Sequence, residues 1–269
     1  MTTYDDARLT APRVAATARA GTRDIRLDFF RGIAMFIILI AHIPDNWATL
    51  WIPARFGFSD ATEMFVFCSG MASAIAFGGT FARAGWAIGT VRVAYRVWQV
   101  YWAHIGMFLT LAAALAWIDA TGAFSADYTR GLNLDPFLNR TAETLPALMT
   151  LTYVPNYFDI LPMYLVILAM MPLVIWLAGV ARGLAAAFVI ALWLAANLQW
   201  TGLPAEPWSS RVWFFDPFGW QLLFFTGFAF MRGWLPAPPI TPLLLAVAGA
   251  IVILSVPLAY FRILNEFPE

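Results

Sequence analysis

Arg31 and His42 stand eleven positions apart within DFFRGIAMFIILIAHIPDN, an otherwise apolar run with charged or titratable residues near each end. In a helix that spacing turns through about 1100°, three turns plus ~20°, and rises ~16 Å, so both side chains fall on one stripe, about half a bilayer apart. Apolar packing has no use for an imidazole there. A charged residue at the centre of a membrane span costs roughly 2.5 to 3.5 kcal/mol on insertion scales, so such residues usually face protein or water. Histidine, with an unperturbed pKa of about 6.5, is the natural general base near neutral pH. A neutral imidazole so placed can take a proton from a hydroxyl and activate it for attack on a carbonyl. The plainer alternative is that Arg31 snorkels to one headgroup layer while His42 rests at the opposite interface.

Three further features carry polar chemistry against the apolar background. In SDATEMFVFCSGMASA, Asp60 and Glu63 share a helical face, and Glu63 is the deeper of the two. A carboxylate at that depth can orient the His42 imidazole and stabilise the imidazolium, as in triad-type acyl transfer. Equally, Asp60 can be an N-cap and Glu63 an interfacial charge. Arg92 and Arg96 lie one turn apart, and paired guanidinium groups suit phosphates such as those of an acyl-CoA donor made inside the cell. Their alternative roles are topological anchoring and the binding of anionic lipid headgroups. His104 either lines the same cavity or makes a single interhelical hydrogen bond. Trp47, Trp51, Trp208 and Trp213 fall on segments expected to be exported, where they can stack on sugar rings or anchor the membrane interface.

The elements that must position these residues follow from composition. With 61% hydrophobic and 12% charged residues and a mean hydropathy of +0.72, the chain reads as an integral membrane protein. Its net charge is zero, yet Arg8, Arg13, Arg19, Arg23, Arg26 and Arg31 all precede or open the first apolar run, which places the N-terminus in the cytoplasm. Residues 1–24 read as a disordered basic cytoplasmic tail, and residues 25–269 as the membrane domain. Hydropathy suggests about seven spans, near 28–46, 60–79, 96–118, 160–180, 184–200, 217–232 and 240–261, in an all-α polytopic transmembrane bundle. Between Asp119 and Asp159 lies a long excursion, too long for a simple turn, in which FLNRTAETLPALMTLTYV has near-helical apolar spacing. The small residues Ser69, Gly70, Ala72 and Ser73 favour close helix packing. With Cys68 its single cysteine and two histidines, the chain offers no metal centre, and metal-dependent hydrolysis is not expected. Nor does it carry a phosphate-binding loop of an ATP-driven pump. Nucleic acid is not an expected partner; membrane lipids are.

DIRLDFFRGIAMFIILIAH resembles the opening of the membrane-bound acyltransferase-3 superfamily, whose first span carries an Arg, ten residues and a His, matched by Arg31 and His42. SDATEMFVFCSGMASA is similar to the superfamily's second-span pattern, with Glu63 in the acidic place. Arg92 and Arg96 fall near its arginine pair, although their spacing is R-x-x-x-R where the pattern is R-x-x-R. Within the superfamily, residues 24 to 105 most resemble the OpgC family, succinyltransferases of osmoregulated periplasmic glucans. The resemblance implies a multi-pass protein of the bacterial inner membrane that moves a succinyl group from cytoplasmic succinyl-CoA, a substrate and not a bound cofactor, to glucan hydroxyls in the periplasm. It also implies His42, Glu63 and Arg31 as catalytic residues and Arg92 and Arg96 as donor-binding ones. Family members have about ten spans, so the last few are expected to lie outside this chain. The alternative from another class is a proton-coupled transporter or flippase of an acyl or glycan anion, with His42 and Glu63 as a relay. The paired repeats and broken helices common in transporters are not evident in the sequence.

Overall fold

A computed structural model describes residues 24–259, and among these every regular element is helical. The tail expected over residues 1–24 lies, except for Asp24, outside the described residues. Asp24 caps the first helix, α1 (Ile25–His42), by accepting from the Arg26 N–H at 3.0 Å. Two short 3-10 turns, Trp47–Trp51 and Pro53–Arg55, lead to α2 (Ala61–Ala76). Next comes α3 (Gly78–Thr121), which breaks at Gly85, where φ is 83°. The excursion after α3 holds three small helices, α4 (Tyr128–Gly131), α5 (Asp135–Asn139) and α6 (Thr141–Met149). The remainder is α7 (Ile160–Val180), α8 (Arg182–Asn197), α9 (Pro217–Met231) and α10 (Pro242–Ala259).

Each of the seven apolar segments becomes a helix, but the expectation of seven spans is not met by length. Only α3 and α7 are long and apolar enough to cross a membrane among the described residues; α2 and α8 are apolar but have 16 residues each. Sixteen residues rise ~24 Å against a hydrocarbon core of ~30 Å. In α1 the 18 residues include Arg26, Asp28 and Arg31, and α9 has 15. The third helix also starts earlier than expected. Most of the stretch FGGTFARAGW falls between the spans expected near 60–79 and 96–118, yet it is helical on both sides of Gly85, so Arg92 and Arg96 lie two to three turns beyond that break, inside a helix.

Two apolar cores organise the bundle. One joins α2, α7, α8 and α9 around Phe224, Phe228, Ile167, Leu168 and Met171, all fully buried. The other lies beneath the α4–α6 region, where Ile105 and Phe108 of α3 meet Leu134, Leu148, Tyr153 and Phe158. Around the outside, large apolar side chains such as Phe36, Leu39, Ile253 and Leu254 stay exposed, as suits a lipid-facing surface.

The tightest joint is between α2 and α9. A side chain at Gly70 would collide with the Phe224 carbonyl, and one at Gly227 with the Phe67 carbonyl. Each helix thus presents a glycine to the other's backbone, which realises the close packing expected of the Ser69–Ser73 stretch. Gly70→Ala or Gly227→Ala should each cost about 1–3 kcal/mol through overpacking, while Gly106→Ala, with open space at its Cβ, should not destabilise. Thermal unfolding of the detergent-solubilised variants measures the difference; equal midpoints for all three would overturn the packing argument.

Candidate active site

His42 closes α1 with its ring exposed. Its Nδ1 lies 2.7 Å from the Ile38 carbonyl oxygen. A carbonyl only accepts, so Nδ1 carries the proton, and in the neutral imidazole Nε2 is left with a free lone pair. That is the tautomer a general base requires. The chain beyond is fastened by Asn46, whose amide donates to the Ile40 carbonyl at 2.9 Å. The Tyr157 ring stands edge-on to the imidazole, with centroids 5.5 Å apart and planes at 79°. Tyr157 itself holds φ of 67°, a left-handed conformation that is strained for a bulky residue. No signal in the sequence marks Tyr157, because 115 positions separate it from His42 and no local pattern links them.

Arg31 is half-buried on the same helix and lies over the Phe65 ring of α2, 5.6 Å from its centroid. Its Nε is buried without a hydrogen-bond partner. Glu63 is placed differently from the triad expectation. Its carboxylate accepts from the Asp60 N–H at 2.7 Å while Asp60 caps α2, so the two acids form a capping box. No hydrogen bond joins Glu63 to His42; the imidazole is oriented by a backbone carbonyl instead. Glu63 opens onto a separate cavity of about 420 Å³ between α2, α8 and α9.

Arg92 donates to the Thr80 hydroxyl at 2.5 Å and lies over the Phe77 ring, and Arg96 reaches Gln99 at 3.4 Å. Both are exposed, and among the described residues neither forms an ion pair. Two further arginines, Arg83 and Arg232, join them. The Arg232 side chain lies across Gly78, where an added Cβ would sit 2.8 Å from its Cδ, and the Arg83 guanidinium lies over Gly79. Three guanidinium groups therefore surround residues 77–80, at the end of the bundle away from His42. Glycine at 78 and 79 is the signal that could have marked the approach.

His104 is fully buried, and both its ring nitrogens lack partners. The Trp213 indole is also buried, donating to the Pro204 carbonyl at 3.0 Å, so it cannot stack on a ligand. Trp208 carries the Arg140 guanidinium 4.4 Å above its ring. Trp47 and Trp51 stay exposed.

Polar pins hold the surrounding loops. Tyr153 donates to the Asn133 carbonyl at 2.6 Å, and burial pushes its phenol well above the ordinary value. Arg211 donates to the Val154 carbonyl at 2.8 Å and pairs with Glu206 at 3.3 Å. Buried Asp159 accepts from the Phe215 N–H at 3.0 Å, tying the start of α7 to the start of α9.

Among the described residues the protein is all-helical, with arginines gathered at one end and carboxylates and His42 at the other, and its two long apolar helices suggest a membrane protein. A family model described as OpgC protein matches residues 23–269, and the chain belongs to the OpgC family, a membership that points to a glucan-modifying acyltransferase. No curated protein and no solved structure matches it.

Glu206 supplies a pH dependence with a definite sign. Burial raises its pKa, but the bonds from Ser209, Asn133 and Arg211 outweigh burial and hold it below the ordinary 4.5. Its contribution to stability is therefore full above pH 4.5 and is lost as pH falls through the lower folded value. Hydrogen exchange across residues 203–213 should rise on acidification in that window, and Glu206→Gln should abolish that component. An acid response unchanged in the variant would remove Glu206 as its source.

Proposed function

We propose that this protein is a transmembrane O-acyltransferase that moves a succinyl group from succinyl-CoA on the cytoplasmic side to hydroxyls of a periplasmic glucan, in the bacterial inner membrane with its N-terminus inside. Family membership supports the reaction class. The observation that carries the mechanism is the 2.7 Å approach of His42 Nδ1 to the Ile38 carbonyl, which in a neutral ring leaves the lone pair on Nε2. The charge layout supports the direction of transfer: Arg83, Arg92 and Arg232 gather at one end, while Asp60, Glu63, Asp159 and Asp216 lie at the end of His42.

In this reading the donor's phosphates dock on Arg92 and Arg96, and its thioester arm reaches into the bundle past Arg31, whose unpartnered Nε steadies it. His42 Nε2 accepts the proton of the incoming glucan hydroxyl. The hydroxyl oxygen bonds to the thioester carbonyl carbon, the carbon–sulfur bond breaks, and the thiolate takes the proton back from the imidazolium. The products are free CoA and a half-ester carrying the succinyl carboxylate. Glu63 serves the acceptor end, since its carboxylate is held in the α2 cap and not at His42.

Membranes containing the protein, given acyl-labelled succinyl-CoA and periplasmic glucan, should label the glucan. His42→Ala should lower the rate about 10²- to 10⁴-fold, the range for a lost general base. Replacing Arg92 and Arg96 with Gln should raise the KM for acyl-CoA about tenfold or more, as lost phosphate contacts would. Transfer that survives in His42→Ala removes His42 as the base. No transfer from any acyl-CoA would favour a carrier of acyl or glycan anions.

A further inference from the structure

The cavity of about 420 Å³ onto which Glu63 opens lies within the ~300–1,000 Å³ range of small-ligand sites. Its walls combine three aromatic rings, Trp193, Phe214 and Trp220, with two carboxylates, Glu63 and Asp216, and the Asn197 amide. Each polar group is held in place by the fold with acceptor capacity to spare. Glu63 Oε2 takes the Asp60 N–H, and Asp216 caps α9 through the Phe218 N–H at 2.9 Å while accepting from Thr201 at 3.2 Å. Asn197 spends its NH₂ on the Trp193 carbonyl at 2.8 Å, which leaves its amide oxygen open. Trp193 and Trp220 are half-buried, and among the described residues their indole N–H groups have no hydrogen-bond acceptor.

The lining decides among ligand classes. Two carboxylates repel phosphates and the succinyl carboxylate, so the acyl donor does not belong there. A lipid tail would leave both carboxylates against hydrocarbon with nothing to bond. A polyhydroxylated ring meets every demand: its C–H faces lie on indole, its hydroxyls donate to Glu63, Asp216 and Asn197, and its oxygens accept from the free indole N–H groups. Position agrees. Phe214 and Asp216 flank Phe215, whose N–H is held by Asp159, and two residues before Asp159 the Tyr157 ring stands against His42. Two short segments, 157–159 and 214–216, joined by that hydrogen bond thus connect the cavity rim to the base.

Resting on the acyltransfer reading above, we propose that this cavity between α2, α8 and α9 seats a sugar unit of the glucan acceptor, with Trp193 and Trp220 as stacking surfaces and Glu63 and Asp216 as hydroxyl acceptors. It holds the polymer while a neighbouring unit presents its hydroxyl to His42.

The test uses the purified chain in detergent and a glucose oligosaccharide labelled at its reducing end, without acyl-CoA, so that binding is read apart from transfer. Wild type should bind saturably. Trp193→Ala and Asp216→Asn should each weaken binding about tenfold or more, with Trp193→Phe retaining most of it. In transfer assays the same variants should raise the KM for glucan and leave the KM for acyl-CoA within about twofold, a split that general loss of structure would not produce. The Phe and Asn replacements keep the stacking surface and the α9 cap, so a misfolded Trp193→Ala does not end the test. Variants that bind the oligosaccharide as wild type does would overturn the site while leaving the transferase reading intact. A choline-type cation that binds where the oligosaccharide does not would overturn the ligand class. A wild type that neither binds glucan nor transfers to it would overturn the acyltransfer reading, and this site with it.

Discussion

The backbone contact between α2 and α9 sets both ends of the molecule. Because Gly70 and Gly227 have no side chains, the two helices meet carbonyl against Cα, and their separation is fixed by backbone. Following the pair one way, Glu63 comes to face Gly219 and Trp220 across a cavity; following it the other way, Gly78 receives the Arg232 side chain. A helix pair spaced by leucines would lie 8 Å to 10 Å apart. Closer approach is what sets Glu63 of α2 opposite Gly219 and Trp220 of α9 at one end and lays the Arg232 side chain over the backbone at the other.

The two ends differ in what they can bind, and the difference is electrostatic. Among the described residues, the guanidinium groups of the arginine end form no ion pair, which suits a polyanion. The other end carries acids that are already fastened by N–H donors: Glu63 and Asp60 in the α2 cap, Asp216 at the start of α9, and Asp159 on Phe215. Fixed carboxylates of this kind suit hydroxyl donors and discourage anions. Under the proposed reaction, each substrate is therefore admitted by one end and turned away by the other, and the two meet only along the α1 stripe between Arg31 and His42.

Local signals were legible in the sequence. Seven apolar segments predict seven helices, an N-cap at Asp60 is one of the two readings its position allows, and small residues in α2 predict a close contact. Each depends on neighbours within a turn or two. Hydropathy misjudged the α2–α3 link because Gly85 reverses the chain without a polar stretch to announce it. Tyr157 and the sugar-like cavity were not legible at all, since each joins residues more than a hundred positions apart. Glu63 shows how depth alone does not name a side chain's partner. Its depth suggested a triad acid, whereas the backbone N–H three residues earlier, at Asp60, is the nearer donor and takes the bond.

That substitution of partners bears on the chemistry. In a triad, a carboxylate behind the imidazole stabilises the imidazolium that forms as the base takes its proton. The Ile38 carbonyl fixes the same tautomer but, being neutral, stabilises that cation less. An amide leaving group, poor without protonation, would suffer from the difference. A thioester does not, because a thiol ionises near the ordinary cysteine value of about 8.5 and leaves as thiolate with little help. The thiolate then recovers the proton, so the imidazolium is short-lived. Under the proposed reaction, an orienting carbonyl without a carboxylate is therefore compatible with an activated acyl donor such as a thioester.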